Sequence, residues 1–258
     1  MYPNLAHIYG PIYLNCYGLM IAAGILIFRY LLLKNPTRPK ILTTEQFDNI
    51  LLISIPVAII GGRLLWALGS QPMVIAPLKI LALWEPGYSV LGALLASLIF
   101  LPIYLKYQKI SGLKLLDLVA IYTPLLHSIA RIGCFLAGCC YGKLTSLPWG
   151  IIYTHPDVLV PESLKFIKIH PTQLYSSIML LGIFLFMYYF AQKYFTKPGQ
   201  LISIYLILAG LERFIVDFFR ADQELLSWCA LGLQQVLALG IIFAGASLYT
   251  YVSCSKKL

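Results

Sequence analysis

Charge is what this chain has least of. Only 11% of its 258 residues are charged and ten are acidic, where a soluble domain carries about 25% charged residues. An ordinary soluble globular fold is therefore excluded. The net charge is +9, yet no basic cluster is interleaved with aromatics, so nucleic acid is not an expected partner. In a membrane protein such an excess reports topology and contact with anionic lipid. Paired CxxC motifs of the zinc-finger kind are missing among the six cysteines. Internal repeats and low-complexity tracts are missing too. No cleavable signal is expected: the first apolar run is too long for one, and no lysine or arginine precedes it.

What the chain has is apolar length. It is 60% hydrophobic, and runs of about 20 apolar residues span the hydrocarbon as helices. Seven such runs lie at roughly 12–33, 47–68, 88–107, 115–137, 171–192, 200–219 and 228–251. The breaks between them are short and polar, as in Lys34-Asn35-Pro36-Thr37-Arg38-Pro39-Lys40 and Lys197-Pro198-Gly199. The expectation is a single all-α membrane domain over residues 1–258 with seven transmembrane helices. With the N-terminus outside, basic residues divide eleven to four in favour of the cytoplasm, which leaves the C-terminus cytoplasmic. The Pro-rich stretch from about 69 to 87 reads as a segment lying in the interface, and the loop over 141–170 as a small outer cap.

Four arginines remain within or at the ends of the spans: Arg63, Arg131, Arg213 and Arg220. Cations at membrane depth are costly and mark working sites. Several converging near one depth suggest an anionic ligand, and lipid phosphate suits the guanidinium fork. The competing reading is snorkelling, or pairing with Glu212, Asp217 and Asp222. Arg213, Asp217 and Arg220 share one helix face.

The segment Ala130-Arg131-Ile132-Gly133-Cys134-Phe135-Leu136-Ala137-Gly138-Cys139-Cys140 sets three thiols beside an arginine at an outer helix end. A thiol next to Arg131 has a lowered pKa and can act as a nucleophile. Disulfides fit an oxidising compartment, and small-residue packing is the plain alternative. Zinc with His127 or His170 is a further option, at a spacing that matches no standard motif. His170-Pro171-Thr172-Gln173-Leu174-Tyr175 opens the fifth run. There His170 can take a proton near neutral pH, while Gln173 and Tyr175 offer hydrogen bonds.

Five blocks together resemble the prolipoprotein diacylglyceryl transferase family of bacterial inner membranes. They are Tyr17-Gly18-Leu19-Met20, Gly61-Gly62-Arg63-Leu64, Arg131-Ile132-Gly133, the His170 block, and Arg213-Phe214-Ile215-Val216-Asp217-Phe218-Phe219-Arg220. Gly232 and Gln235 resemble a weaker block. The resemblance implies transfer of a diacylglyceryl group from phosphatidylglycerol to the lipobox cysteine of a prolipoprotein. Glycerol phosphate leaves, and no cofactor is involved. It implies a phosphate clamp of Arg131 with Arg220, or with Arg213 in its place. Tyr17 would line the lipid site, with Arg63, Gln173 and Tyr175 as further substrate contacts.

The chain departs from the family pattern at the acceptor side. Cys134 and Cys139 stand where the family signature has asparagine and glutamate, Leu91 where a histidine is expected, and Ser176 where a glutamate often follows. His170, or a thiolate of Cys134 or Cys139, is the expected substitute base. The rivals are a related transferase with another acceptor or a cysteine-linked intermediate, and a non-catalytic membrane protein that binds lipid or metal.

Overall fold

The computed structural model describes residues 4–9, 12–69, 87–223 and 231–255. The expected interfacial segment falls almost wholly outside these residues, as does Cys229.

The described chain is helical apart from one N-terminal hairpin, β1 (Asn4–Tyr9) and β2 (Ile12–Asn15), paired antiparallel with Asn4 opposite Asn15. Its helices are α1 (Cys16–Lys34), α2 (Thr44–Gly69), α3 (Val90–Tyr107), α4 (Gly112–Ala137), α5 (Thr172–Tyr194), α6 (Gln200–Asp217) and α7 (Leu233–Cys254). Five of these, α1, α2, α4, α5 and α7, are long and apolar enough to cross a membrane. Helices α3 and α6 are apolar at 18 residues each, and α6 carries Glu212, Arg213 and Asp217.

One expected boundary is corrected. The first apolar run starts at residue 12, but its first residues form β2 and the helix begins at Cys16. The Asn15 side chain accepts a hydrogen bond from Gly18 N at 2.6 Å, which caps the helix there. A capping box fixes the start of α2: Thr43 N donates to Gln46 Oε1 at 2.9 Å, and Gln46 N to Thr43 Oγ1 at 3.1 Å.

The chain forms two compact units, Met1–Asn35 with Leu116–Leu258, and Pro36–Leu115. In the second, α2 and α3 meet through glycines. A Cβ at Gly61 would lie 2.7 Å from Gly92 O, and one at Gly92 would lie 2.6 Å from Leu65 Cβ. Small residues let apolar helices approach where no hydrophobic force drives them together.

In the first unit, Gly24, Phe28 and Leu32 form a buried stripe on α1, and Gly24 faces Leu126 and Ile129 of α4. Asn35 Nδ2 donates to Tyr122 Oη at 2.9 Å. Asp117 on α4 caps α6 across the bundle, its carboxylate accepting from Gly199 N at 2.6 Å and Ile202 N at 2.8 Å. Gly199 adopts φ 96°, which a side chain would oppose. In α5 a π turn over Met187–Ala191 interrupts the α-helix. The loop over 141–170 folds on its own small core of Tyr153, Val158, Val160 and Ile169.

Asp117→Ala is expected to destabilise the protein by about 1–3 kcal/mol by stranding two buried donors, seen as a lower melting temperature in detergent. Gly92→Val is expected to cost a similar ~1–3 kcal/mol by overpacking the α2–α3 contact. The same melting measurement checks it.

Candidate functional site

Helix α4 ends in a turn that gathers the thiols. Gly138 N and Cys139 N both donate to Cys134 O, at 2.9 and 3.2 Å. Gly138 has φ 76° and Cys140 φ 57°, a left-handed backbone that a non-glycine residue takes at a cost of about 1–3 kcal/mol. Helix α5 holds this turn in place. Thr172 Oγ1 donates to Cys140 O and Gln173 Nε2 to Cys139 O, each at 2.7 Å. From the cap, Tyr153 Oη donates to Phe135 O at 2.8 Å. The sulfur atoms of Cys134, Cys139 and Cys140 all lie within 4.8 Å of one another. Cys134, Cys139 and Cys140 are not joined by disulfides.

The chain then runs from Cys140 alongside the end of α6. Ala221 N donates to Tyr141 O at 3.1 Å, and Lys143 N to Phe219 O at 2.8 Å. Gly142 pairs with Arg220. These backbone bonds bring Arg220 to the thiol turn. A small hollow results, of about 10 Å3, lined by Arg131, Cys140, Thr172, Gln173, Ser176, Arg213, Val216 and Arg220. That is room for one water molecule.

The three arginines of this hollow are not equivalent. Arg220 makes a two-pronged pair with Asp222, Nε to Oδ1 at 2.8 Å and Nη2 to Oδ2 at 2.6 Å. Asp217, 0% exposed, sits between Arg213 at 3.7 Å and Arg220 at 3.8 Å. Its Oδ2 accepts from Gln223 at 2.8 Å, while its Oδ1 has no hydrogen-bond partner. Arg131 makes no ion pair with a carboxylate of the described residues. Its Nη1 lies 3.8 Å from Cys140 Sγ. Hydrogen bonding from the Cys134 and Cys139 thiols, with Arg220 and Arg131 adding to it, holds the Cys140 thiol well below the ordinary range. Burial pushes the Tyr153 hydroxyl up. The pair with Asp222 outweighs burial and keeps Arg220 firmly charged.

The other candidates from the sequence have different surroundings. Gln173 is buried and lines the hollow; its Oε1 has no partner. Tyr17, 40% exposed, packs at Gly133, where an added Cβ would lie 3.3 Å from its ring. His170 and Tyr175 are drawn into an aromatic cluster instead. His170 Nδ1 is 3.1 Å from Tyr175 Oη, Trp149 Nε1 donates to the same hydroxyl at 2.8 Å, and Phe219 packs against both rings. Arg63 belongs to the other unit, where it is buried, donates to Gly87 O and lies over the Trp66 ring. Leu91 is 60% exposed.

Three residues take places at the site that the sequence did not assign to them individually. Cys140, rather than Cys134 or Cys139, touches Arg131. Thr172 and Glu212 are the others. Glu212 is buried on α6 and accepts a hydrogen bond from Ser176. It thereby brings a carboxylate to the position next to the Gln-Leu-Tyr block, from a different helix. The available signal was an acid inside an apolar run. Glu212 also ends an apolar groove of about 350 Å3 lined by Met179, Gly182, Ile183, Phe186, Leu208 and Leu211.

The sequence of residues 3–251 matches the family described as prolipoprotein diacylglyceryl transferase. Several relatives carry the name phosphatidylglycerol–prolipoprotein diacylglyceryl transferase. One from Clostridium tetani is 36% identical over 222 residues, 86% of each chain. One from Zymomonas mobilis is 33% identical over 257 residues, 95% of this chain and 85% of the relative. A third, from Polaromonas naphthalenivorans, is 30% identical over 258 residues, 97% of this chain and 92% of its own. With the family's sequence pattern matched along almost its whole length, the chain belongs to the prolipoprotein diacylglyceryl transferase family.

Proposed function

We propose that this protein transfers the diacylglyceryl group of phosphatidylglycerol to the lipobox cysteine of prolipoproteins, with release of glycerol phosphate. The observation that carries this reading is the hollow where Arg131, Arg213 and Arg220 meet. The reaction leaves a phosphate where a neutral carbon–oxygen bond was, and charge developing on that leaving oxygen needs fixed cations in a dry site. Arg131 is the one of the three with no carboxylate partner among the described residues, so it has charge to give. Arg220 and Arg213 share Asp217 and bring the remaining donors. Gln173 Oε1 and Tyr17 stand beside this clamp as contacts for the glycerol and lipid parts. The apolar groove ending at Glu212 offers an acyl chain a lining of aliphatic and aromatic side chains.

The protein works in this reading as one polytopic domain in the bacterial inner membrane, among membrane lipids. All seven helices cross: at 1.5 Å per residue, even α3 and α6 reach about 27 Å. The N-terminus is outside, the C-terminus is cytoplasmic, and the thiol turn with its cap faces outward. The division of basic residues supports this orientation.

Purified protein given phosphatidylglycerol and a lipobox peptide is expected to release glycerol phosphate. Arg131→Ala should lower the rate by about 100-fold or more, the usual loss when a donor to developing negative charge is removed. Arg131→Lys should recover only part of it, since a point charge lacks the guanidinium fork. Absence of release from the wild type, or an unimpaired Arg131→Ala, would refute the reading. Alkaline phosphatase fused after Lys168 should be active in bacterial cells, and the same enzyme fused at the C-terminus inactive. The opposite pattern rules out the orientation.

A further inference from the structure

The thiol cluster is not accounted for by the phosphate clamp. Its three sulfur atoms lie within 4.8 Å of one another, and the turn that holds them is fixed from three directions, by α4, α5 and the cap. The strained backbone at Cys140 is maintained by those bonds. Simple packing does not explain the arrangement, because Cys139 and Cys140 are only partly buried and Cys140 faces a guanidinium rather than an apolar wall. A disulfide uses two sulfurs and leaves the third unexplained.

We propose that Cys134, Cys139 and Cys140 bind one zinc ion in an open three-sulfur site whose fourth position takes the thiol of the acceptor cysteine. The proposal rests on the transferase reading given above. A tetrahedral zinc–sulfur site, with bonds of about 2.3 Å, sets sulfurs about 3.8 Å apart. The observed sulfurs, within 4.8 Å of one another, stand close to that spacing. Neither His127 nor His170 belongs to the cluster: His127 Nδ1 lies 3.1 Å from Tyr205 Oη, and His170 Nδ1 is 3.1 Å from Tyr175 Oη. The described residues thus supply three ligands, the number that leaves a zinc position open for water or substrate. Three thiolates and one zinc ion carry a net negative charge, set at the edge of the hollow that Arg131, Arg213 and Arg220 line together.

The site gives a role to the replaced acceptor-side groups. Cys134 and Cys139 occupy two of those positions, and a metal-bound thiol loses its proton outright. The acceptor thiol gives its proton to water on binding zinc. Its sulfur lone pair then forms a bond to the terminal glyceryl carbon of the lipid. The bond from that carbon to the phosphate oxygen breaks, and its electron pair leaves on glycerol phosphate, beside Arg131, Arg213 and Arg220. Zinc keeps its oxidation state, and no oxidant or reductant is required. Cys140 lines the same hollow as the three arginines, so the thiol arrives next to the phosphate it displaces.

The test uses the full chain purified in detergent under reducing conditions without chelator. Elemental analysis should find about one zinc per chain, lost in Cys139→Ser and kept in Cys254→Ser, which alters an exposed thiol far along α7. Should Cys139→Ser not fold, the wild type stripped of metal and titrated with cobalt serves alone. It should show a sulfur-to-cobalt charge-transfer band that shifts when a lipobox peptide is added and stays unmoved with the peptide's cysteine changed to serine. A wild type that holds neither zinc nor cobalt, or a Cys139→Ser variant with full zinc, overturns the proposal. So does a diacylglyceryl adduct on any of the three thiols. Glycerol phosphate release is measured on the same preparation. Release by metal-free protein overturns the zinc site and leaves the transferase standing. Zinc with the peptide-induced shift but no release supports the site and overturns the transferase reading.

Discussion

The site is governed by an excess of positive charge in a confined place. Three guanidinium groups line a hollow with room for a single water, where the surroundings screen them far less than bulk water does. Asp217 offsets part of this charge. It is itself fully buried, with one carboxylate oxygen lacking a hydrogen bond. Breaking such a buried group away from its partners is costly, so Arg213 and Arg220 are held in place by the same residue. Arg131 is left as the cation that an incoming anion can satisfy. The loop pairing between Tyr141–Lys143 and Phe219–Ala221 completes the arrangement, because Arg220 lies past the end of α6 and needs the backbone of another segment to aim it.

Much of the scaffold was legible in the sequence because lipid imposes a simple rule. A backbone in hydrocarbon must satisfy its own hydrogen bonds, so apolar length translates almost directly into helix. Each of the seven apolar runs overlaps one of α1–α7. The boundary at the first run moves because apolar residues serve a strand as well as a helix, and Asn15 decides where one gives way to the other. The convergence of arginines was legible for a related reason: a cation in an apolar run has few places to go.

The details of the site were less legible, since they depend on which side chains meet across helices. Arg220 is named first for the clamp, yet Asp222, two residues on, grips it with both oxygens, as the competing reading of ion pairing expects. His170 sits in a block that resembles the family's, but its ring packs with Tyr175 and Phe219. Ser176 seemed a simple loss of a carboxylate until Glu212 was found bonded to it from α6. The cysteine that touches Arg131 is the last of the three, because the left-handed backbone at Cys140 turns it back toward the arginine. The meetings across helices do not follow from spacing along the chain.

The cap that Asp117 places on α6 has a consequence at the far end of both helices. It pins α4 and α6 together near their starts, and the two run in the same direction. Fourteen residues separate Asp117 from Arg131, and fourteen separate Gly199 from Arg213. Two rods of equal rise, about 21 Å, leave a common floor and deliver their guanidinium groups to one level. A single residue inserted into either rod would lift its arginine by about 1.5 Å and swing it roughly 100° around the axis. The floor is thus a gauge for the ceiling, and the spacing of the charges is set about 21 Å away from the hollow they line.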